Sequence, residues 1–260
     1  MEFIDTHSHL FLEEFKEDLP EVIERAKSIG VSKVFMPNID SSTISDMLRV
    51  ASQYAGYCYP MIGLHPTSVE ENYEIELKQM KELLDLSNNF VGIGEVGLDL
   101  YWDKTYRMQQ ENAFVTQLQW AIEYKLPLII HCREAFEELY ALMLPYIEDT
   151  NLRGIFHSFT GTKAEADKLL SFKNFKLGIN GVVTFKKTIL PDVLRDVPIN
   201  RIVLETDSPY LTPVPNRGKR NESANVKDVL NKLAEIYEIS VEKMAELTNK
   251  NALEVFKVIE

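Results

Sequence analysis

Cysteine is nearly absent from this 260-residue chain; there are two, Cys58 and Cys132. Both sit in or beside apolar runs, which argues for buried free thiols rather than a disulfide. Free thiols suit a reducing cytoplasm, the expected location. Long hydrophobic runs are missing too. The longest uncharged apolar stretches are short, as near LPLIIHC, whereas a bilayer span needs about 20 such residues; no membrane crossing is expected. The opening residues include Glu2 and Asp5 and no basic segment, so no secretory signal is expected there. No Ser/Gly-rich linker, low-complexity tract or internal sequence repeat interrupts the chain, which reads as a single domain over 1–260. Positive charge is the scarcer sign, with 28 Lys and Arg against 40 Asp and Glu and a net charge of −12. Taken whole, that field opposes nonspecific binding of polyanions.

What remains is an ordinary globular composition, 45% hydrophobic and 26% charged, with ample material for one large core. Short β-rich runs recur: FIDTH (3–7), KVFMPN (33–38), YCYPMIGLH (57–65), FVGIGEVG (90–97), LPLIIHC (126–132), GIFHSF (154–159), FKLGING (175–181) and RIVLETD (201–207). Several are continuous rather than alternating, as parallel strands buried on both faces should be. Helical spacing appears between them. Val22, Ile23 and Ala26 precede a stop at Gly30, and Ile44, Met47, Leu48 and Ala51 precede Gly56. Phe114, Leu118, Ala121 and Ile122 form a third stripe. Val226, Val229, Leu230 and Leu233, then Val241, Met244, Leu247 and Leu253, mark helices near the C-terminus. Eight strands alternating with helices predict an α/β fold, a (β/α)8 TIM barrel of metal-dependent hydrolase type. The doubly wound open sheet lacks support, because no glycine-rich phosphate loop follows the first run.

The five histidines all fall near the ends of these runs: His7 and His9 in DTHSH, His65 in IGLHP, His131 after PLII and His157 after GIF. Glu95 in GIGEVG and Asp207 in ETDSP occupy matching places. Chemistry in such barrels sits at the C-terminal ends of the strands. Barrel closure would therefore gather residues that are remote in sequence. Residues i and i+2 on a strand share a face, so His7 and His9 can hold one ion together. Glu95, at the mouth of strand four, has two oxygens and can bridge two ions. Imidazole and carboxylate together suit zinc, manganese or nickel more than magnesium. His65 stands apart from this set and is read as a substrate contact. Glu205 has the parity of Asp207 and is assigned to orienting a ligand or a basic substrate clamp. Asp99, Tyr101 and Trp102 follow Glu95; the aromatics suit base stacking and core packing equally. Arg217, Lys219 and Arg220 in RGKRN follow strand eight, Lys186 and Lys187 follow strand seven, and Arg133 follows His131. Loops in these positions often hold phosphate. Bound cations would reverse the acidic balance locally.

Taken in order, DTHSHL, GLHP, GEVGLDLYWD, HCREAF, HSFTG, ETDSPYLTP and RGKRN make the chain resemble the TatD family of metal-dependent deoxyribonucleases, over almost its full length. Ser223 departs from the pattern, standing where the family often has proline, which bears on loop stiffness. The resemblance implies one ion on His7, His9, Glu95 and Asp207, and a second on Glu95, His131 and His157. It implies two divalent cofactor ions (Mg, Mn, Zn or Ni), with DNA single strands or ends as the substrate and partner and cleavage from 3′ to 5′. Catalysis would rest on Asp207 as proton acceptor and Glu95 between the ions, while Arg133, Lys219 and Arg220 hold phosphate oxygens. No obligate protein partner is expected. Related barrels hydrolyse amides and esters, including aminoacyl esters on tRNA, and many carry a bridging lysine near strand four. None occurs in GIGEVGLDL. A noncatalytic nucleic-acid-binding role is the third reading.

Overall fold

The structure, a computed structural model, describes residues 1–86 and 89–257. Of the expected domain over 1–260, residues 87, 88 and 258–260 lie outside the described residues. Eight parallel strands are present: β1 (Phe3–Asp5), β2 (Val31–Pro37), β3 (Cys58–Met61), β4 (Ile93–Asp99), β5 (Leu128–Arg133), β6 (Gly154–Phe156), β7 (Phe175–Ile179) and β8 (Ile202–Leu204). Helices alternate with them: α1 (Leu19–Ser28), α2 (Ile44–Gln53), α3 (Tyr73–Leu86), α4 (Arg107–Glu123), α5 (Phe136–Met143), α6 (Lys163–Leu170), α7 (Leu190–Leu194), α8 (Val226–Ile236) and α9 (Val241–Phe256). Among the described residues no helix is long and apolar enough to cross a membrane.

The strands pair continuously from β1 to β3 and from β4 to β8. Two narrower seams complete the ring. Ile62 bridges Ile93 between β3 and β4, and Ser8 bridges Ser208 beyond β1 and β8. At the second seam the amide N–H groups of Thr6, His9 and Asp207 donate to the carbonyls of Leu204, Ser208 and His7 at 3.0, 2.8 and 2.9 Å. The sheet is therefore a closed (β/α)8 barrel.

Two apolar layers hold it. The outer layer packs the helices on the barrel, and α1 shows why they form: Val22, Ile23 and Ala26 are buried on one stripe, Pro20 sits in the first turn, and Gly30 ends the element at φ +107°. The inner layer is Ile4, Phe35, Met61, Ile129, Ile155 and Val203, with Ala252, Val255 and Phe256 of α9. Thus α9 plugs the N-terminal end of the barrel, its Phe256 ring stacked on Phe35 at 3.6 Å. The opposite, C-terminal end remains for polar side chains.

Each expected run contains a strand, but the extents differ. β1, β6 and β8 stop before His7, His157 and Asp207, whereas β4 and β5 continue to Asp99 and Arg133. Glu95 and His131 therefore lie inside strands, not at their mouths. The expected helical stripes on α1, α4 and α8 lie on the buried faces; in α2 Ile44 and Met47 are buried while Leu48 and Ala51 are partly exposed, and in α9 the buried face runs through Met244, Ala245, Ala252, Val255 and Phe256 rather than Val241, Leu247 and Leu253.

Candidate metal centre

Strand parity aims most of the site. Side chains two apart share a face. Ile129, Ile155 and Val203 face the inner layer, so His131, His157, Glu205 and Asp207 continue that face toward the open end. His7 and His9 break the rule, since Ile4 is the inward residue of β1. β1 ends at Asp5, and the Ser8–Ser208 bridge turns Ser8 outward, leaving its two neighbours to point into the mouth. In β4 the register slips between Ile93 and Val96. Gly97 lies against the His131 carbonyl with φ +144°, where an added Cβ would sit 1.9 Å from that oxygen. Only glycine allows β4 to approach β5 this closely beside Glu95.

All five histidines meet around Glu95. Its Oε2 is 3.0 Å from His7 Nε2 and 3.6 Å from His9 Nε2. Its Oε1 is 2.9 Å from His131 Nδ1, 3.4 Å from His65 Nε2 and 3.6 Å from His157 Nε2. Asp207 Oδ1 lies 3.5 Å from His9 Nε2 and 3.7 Å from both His7 Nε2 and His157 Nε2. The six proposed ligands thus form one cluster. His65 joins it rather than standing apart, its ring 4.6 Å from that of His131. Among the described residues three overlapping groups have donor atoms close enough for an ion: His7, His9 and Glu95; His65, Glu95 and His131; and His7, His157 and Glu205.

The donor set fits divalent cations. His7 Nε2 and His9 Nε2 are 3.2 Å apart and converge on the same carboxylates. One shared proton can relieve only part of that crowding, and a cation relieves all of it. Outer contacts aim the rings. His9 Nδ1 donates to the Pro37 carbonyl at 3.2 Å, which aims Nε2 at the carboxylates. His157 Nδ1 is 3.0 Å from Glu205 Oε1. Glu205 is fully buried behind His157 and accepts the Ser158 N–H at 2.7 Å. A Cβ on Gly178 would come within 2.2 Å of Glu205 Oε2. The carboxylate is thus held against the His157 ring, away from the open mouth.

Burial is the largest influence on each of these groups. In His157 it is outweighed by the Glu205, Glu95 and Asp207 carboxylates, which lift the pKa to about 10. In His131 it is outweighed by Asp99 and Glu95, and the value rises to about 9. In His7 and His65 burial prevails and both are lowered. Burial also opposes ionisation of Glu95 and Asp207. The surrounding imidazoles nonetheless hold Glu95 well below its usual range and Asp207 below its own.

Two residues in the site were given no role from the sequence. Asp99 Oδ2 is 3.0 Å from His131 Nε2; its signal was a carboxylate four residues after Glu95, on the same strand face. Asp5 opens the DTHSH motif and is fully buried. It accepts the Thr206 N–H at 2.9 Å and the Thr206 hydroxyl at 2.7 Å, and burial pushes its pKa up to about 7. Ser223 is buried, 3.3 Å from the Ser8 hydroxyl, and hydrogen-bonded to Asp5. Its influence therefore reaches the seam that carries His7 and His9, beyond loop stiffness.

The predicted phosphate clamps separate. Arg220 is bound by Asp18 through both terminal nitrogens at 2.7 Å, which ties its loop to the start of α1. Arg217 stacks on Phe185 at 3.7 Å, while Lys219, Lys186 and Lys187 are exposed. Arg133 is exposed at the end of β5, over Tyr101 at 3.9 Å. Cys58 is buried, Cys132 is half-buried, and both are free.

Comparison with known proteins agrees with this arrangement. A model of the family described as TatD related DNase matches residues 4–257. The chain is 38% identical over 255 residues to the uncharacterized metal-dependent hydrolase YabD of Bacillus subtilis, covering 98% of each. It is 31% identical over 252 residues to the 3′-5′ ssDNA/RNA exonuclease TatD of Yersinia pseudotuberculosis, covering 95% of this chain and 96% of that one. The crystal structure of YjjV, a TatD homologue from Escherichia coli K12, matches with a TM-score of 0.91 at 27% identity, covering 99% of this chain and 98% of the other. The chain belongs to the TatD-related DNase family and with it is a hydrolase acting on ester bonds.

Proposed function

We propose that the protein is a metal-dependent deoxyribonuclease that hydrolyses phosphodiester bonds of single strands or DNA ends, from 3′ to 5′, as one domain in the cytoplasm. The observation that carries this is the two-sided Glu95, with Oε2 toward His7 and His9 and Oε1 toward His131, His65 and His157. That division supports two ions, the first on His7, His9, Glu95 and Asp207 and the second on Glu95, His131 and His157. Such ions, whether Mg, Mn, Zn or Ni, supply Lewis acidity toward a phosphodiester and a nucleophile from water at neutral pH.

The chain's own residues do the rest. Asp207 is the proton acceptor for the attacking water and returns that proton to the leaving oxygen. Its depressed pKa keeps it ionised for the first of these steps. Glu205 and Asp99 fix the rings of His157 and His131. Arg133 and Lys219 are the exposed cations assigned to nonbridging phosphate oxygens. The named activity of the Yersinia relative supports the substrate and polarity.

The test is cleavage of 3′- and 5′-labelled single-stranded DNA with each metal, beside small amide and ester substrates. Asp207→Asn should lower DNA turnover by about 10²–10⁴-fold with the fold intact by circular dichroism. Full activity in that variant, or turnover of amides alone, would overturn the proposal.

A further inference from the structure

Tyr101 and Trp102 are not core residues. They are 53% and 70% exposed, immediately beyond β4 on the face of the barrel that holds the metal cluster. Burial of either ring in apolar surroundings would need no further reason, whereas two adjacent rings left in water do. Their planes stand at 87° with centroids 4.9 Å apart. Arg133 covers them, its guanidinium carbon 3.9 Å from the Tyr101 centroid and 5.2 Å from that of Trp102. Among the described residues no carboxylate lies within ion-pair distance of Arg133, in a protein with a net charge of −12. A guanidinium left for a ligand anion thus sits on two exposed π-faces.

The patch is wired to the cluster. Asp99 Oδ2 is 3.0 Å from His131 Nε2, while Oδ1 accepts the Tyr101 N–H at 3.1 Å. The Leu100 N–H donates to the Arg133 carbonyl at 2.9 Å, which fixes the start of the aromatic segment against the end of β5. One carboxylate therefore sets both a ligand ring and the backbone that carries the aromatics.

We infer that Tyr101, Trp102 and Arg133 form a nucleobase-stacking subsite. A base of the single strand stacks on the Trp102 face while Arg133 takes a neighbouring phosphate. Stacking of this kind is tolerant of sequence, because every base has a π-face, and it requires an unpaired strand. This rests on the nuclease reading and adds to it a physical source for single-strand preference.

The experiment measures fluorescence anisotropy of a labelled dT oligonucleotide and of an equally long abasic strand, both with cleavage-resistant phosphorothioate linkages, using the metal-loaded protein. The wild type should bind the dT strand about 5- to 100-fold more tightly than the abasic one. In Trp102→Ala the ratio of the two dissociation constants should collapse toward one, and Trp102→Phe should restore most of it. Equal losses on both strands in Trp102→Ala, or a ratio near one in the wild type, overturn the subsite. Cleavage of the ordinary phosphodiester dT strand is followed separately. Absence of cleavage with every metal sinks the nuclease reading, while the binding ratio still decides the subsite.

Discussion

Glu205 shows how a single side chain can govern a centre it does not line. It is buried, it touches His157 Nδ1, and the missing Cβ of Gly178 leaves its place. Removing its charge should loosen the His157 ring and weaken ligation. Glu205→Gln should reduce metal affinity about 10- to 100-fold, read by competition with a chelating dye. Unchanged affinity would show that Glu205 is structural only. At this scale much was legible: the six proposed ligands are ligand-type residues near strand ends, and they do meet. His65 and Asp99 were harder to place. His65 closes an apolar run just before Pro66 and Asp99 ends the glycine-broken run of β4, and neither context shows which way a side chain will point.

At the scale of elements, α9 does two things at once. Its apolar stripe closes the N-terminal end of the barrel, and Phe256 stacks inside on Phe35. Phe256→Ala should destabilise the fold by about 3–5 kcal/mol, measured by urea denaturation. The turnover of the remaining folded enzyme should hold, because the site lies at the other end. A variant as stable as the wild type would mean that α9 is not the plug. The helix of α9 was readable from its periodicity, but its buried face was not: of Val241, Met244, Leu247 and Leu253 only Met244 is fully buried, and Ala252, Val255 and Phe256 enter the barrel. Periodicity identifies a helix without naming what covers its faces.

The whole molecule is held in tension by its buried charges, and pH reports the balance. Unfolded histidine titrates near pH 6.5, while in the metal-free fold His131 and His157 are raised to about 9 and about 10. A raised value stabilises the fold fully below pH 6.5, and that contribution is lost as pH climbs through 9 and 10. Glu95 and Asp207 are depressed, so their contribution is present above the ordinary carboxylate range and is lost as pH falls. The chelated protein should therefore melt at progressively lower temperature from pH 7 to pH 10. Metal loading at pH 7 should release protons, since the ligands must bind deprotonated. Thermal melts and titration calorimetry in buffers of different ionisation enthalpy check both. A melting temperature that rises over that range, or loading without proton release, would contradict the assignment of charges. Affinity for DNA should also fall as salt rises, because phosphate contacts release counterions.

By itself the sequence determined the alternation of strands and helices, the barrel that alternation implies, and the chemical identity of the ligands. Those follow from hydrophobic period and residue type, which are local properties. Tertiary structure decided the rest. Closure at the Ser8–Ser208 seam aims His7 and His9 against their strand parity, and a register slip in β4 sets Glu95 between two histidine groups. The Arg220–Asp18 pair occupies an arginine that looked available for phosphate, while exposure leaves Trp102 available for a base. Direction, pairing and exposure arise only when distant segments meet, and no window of sequence contains them.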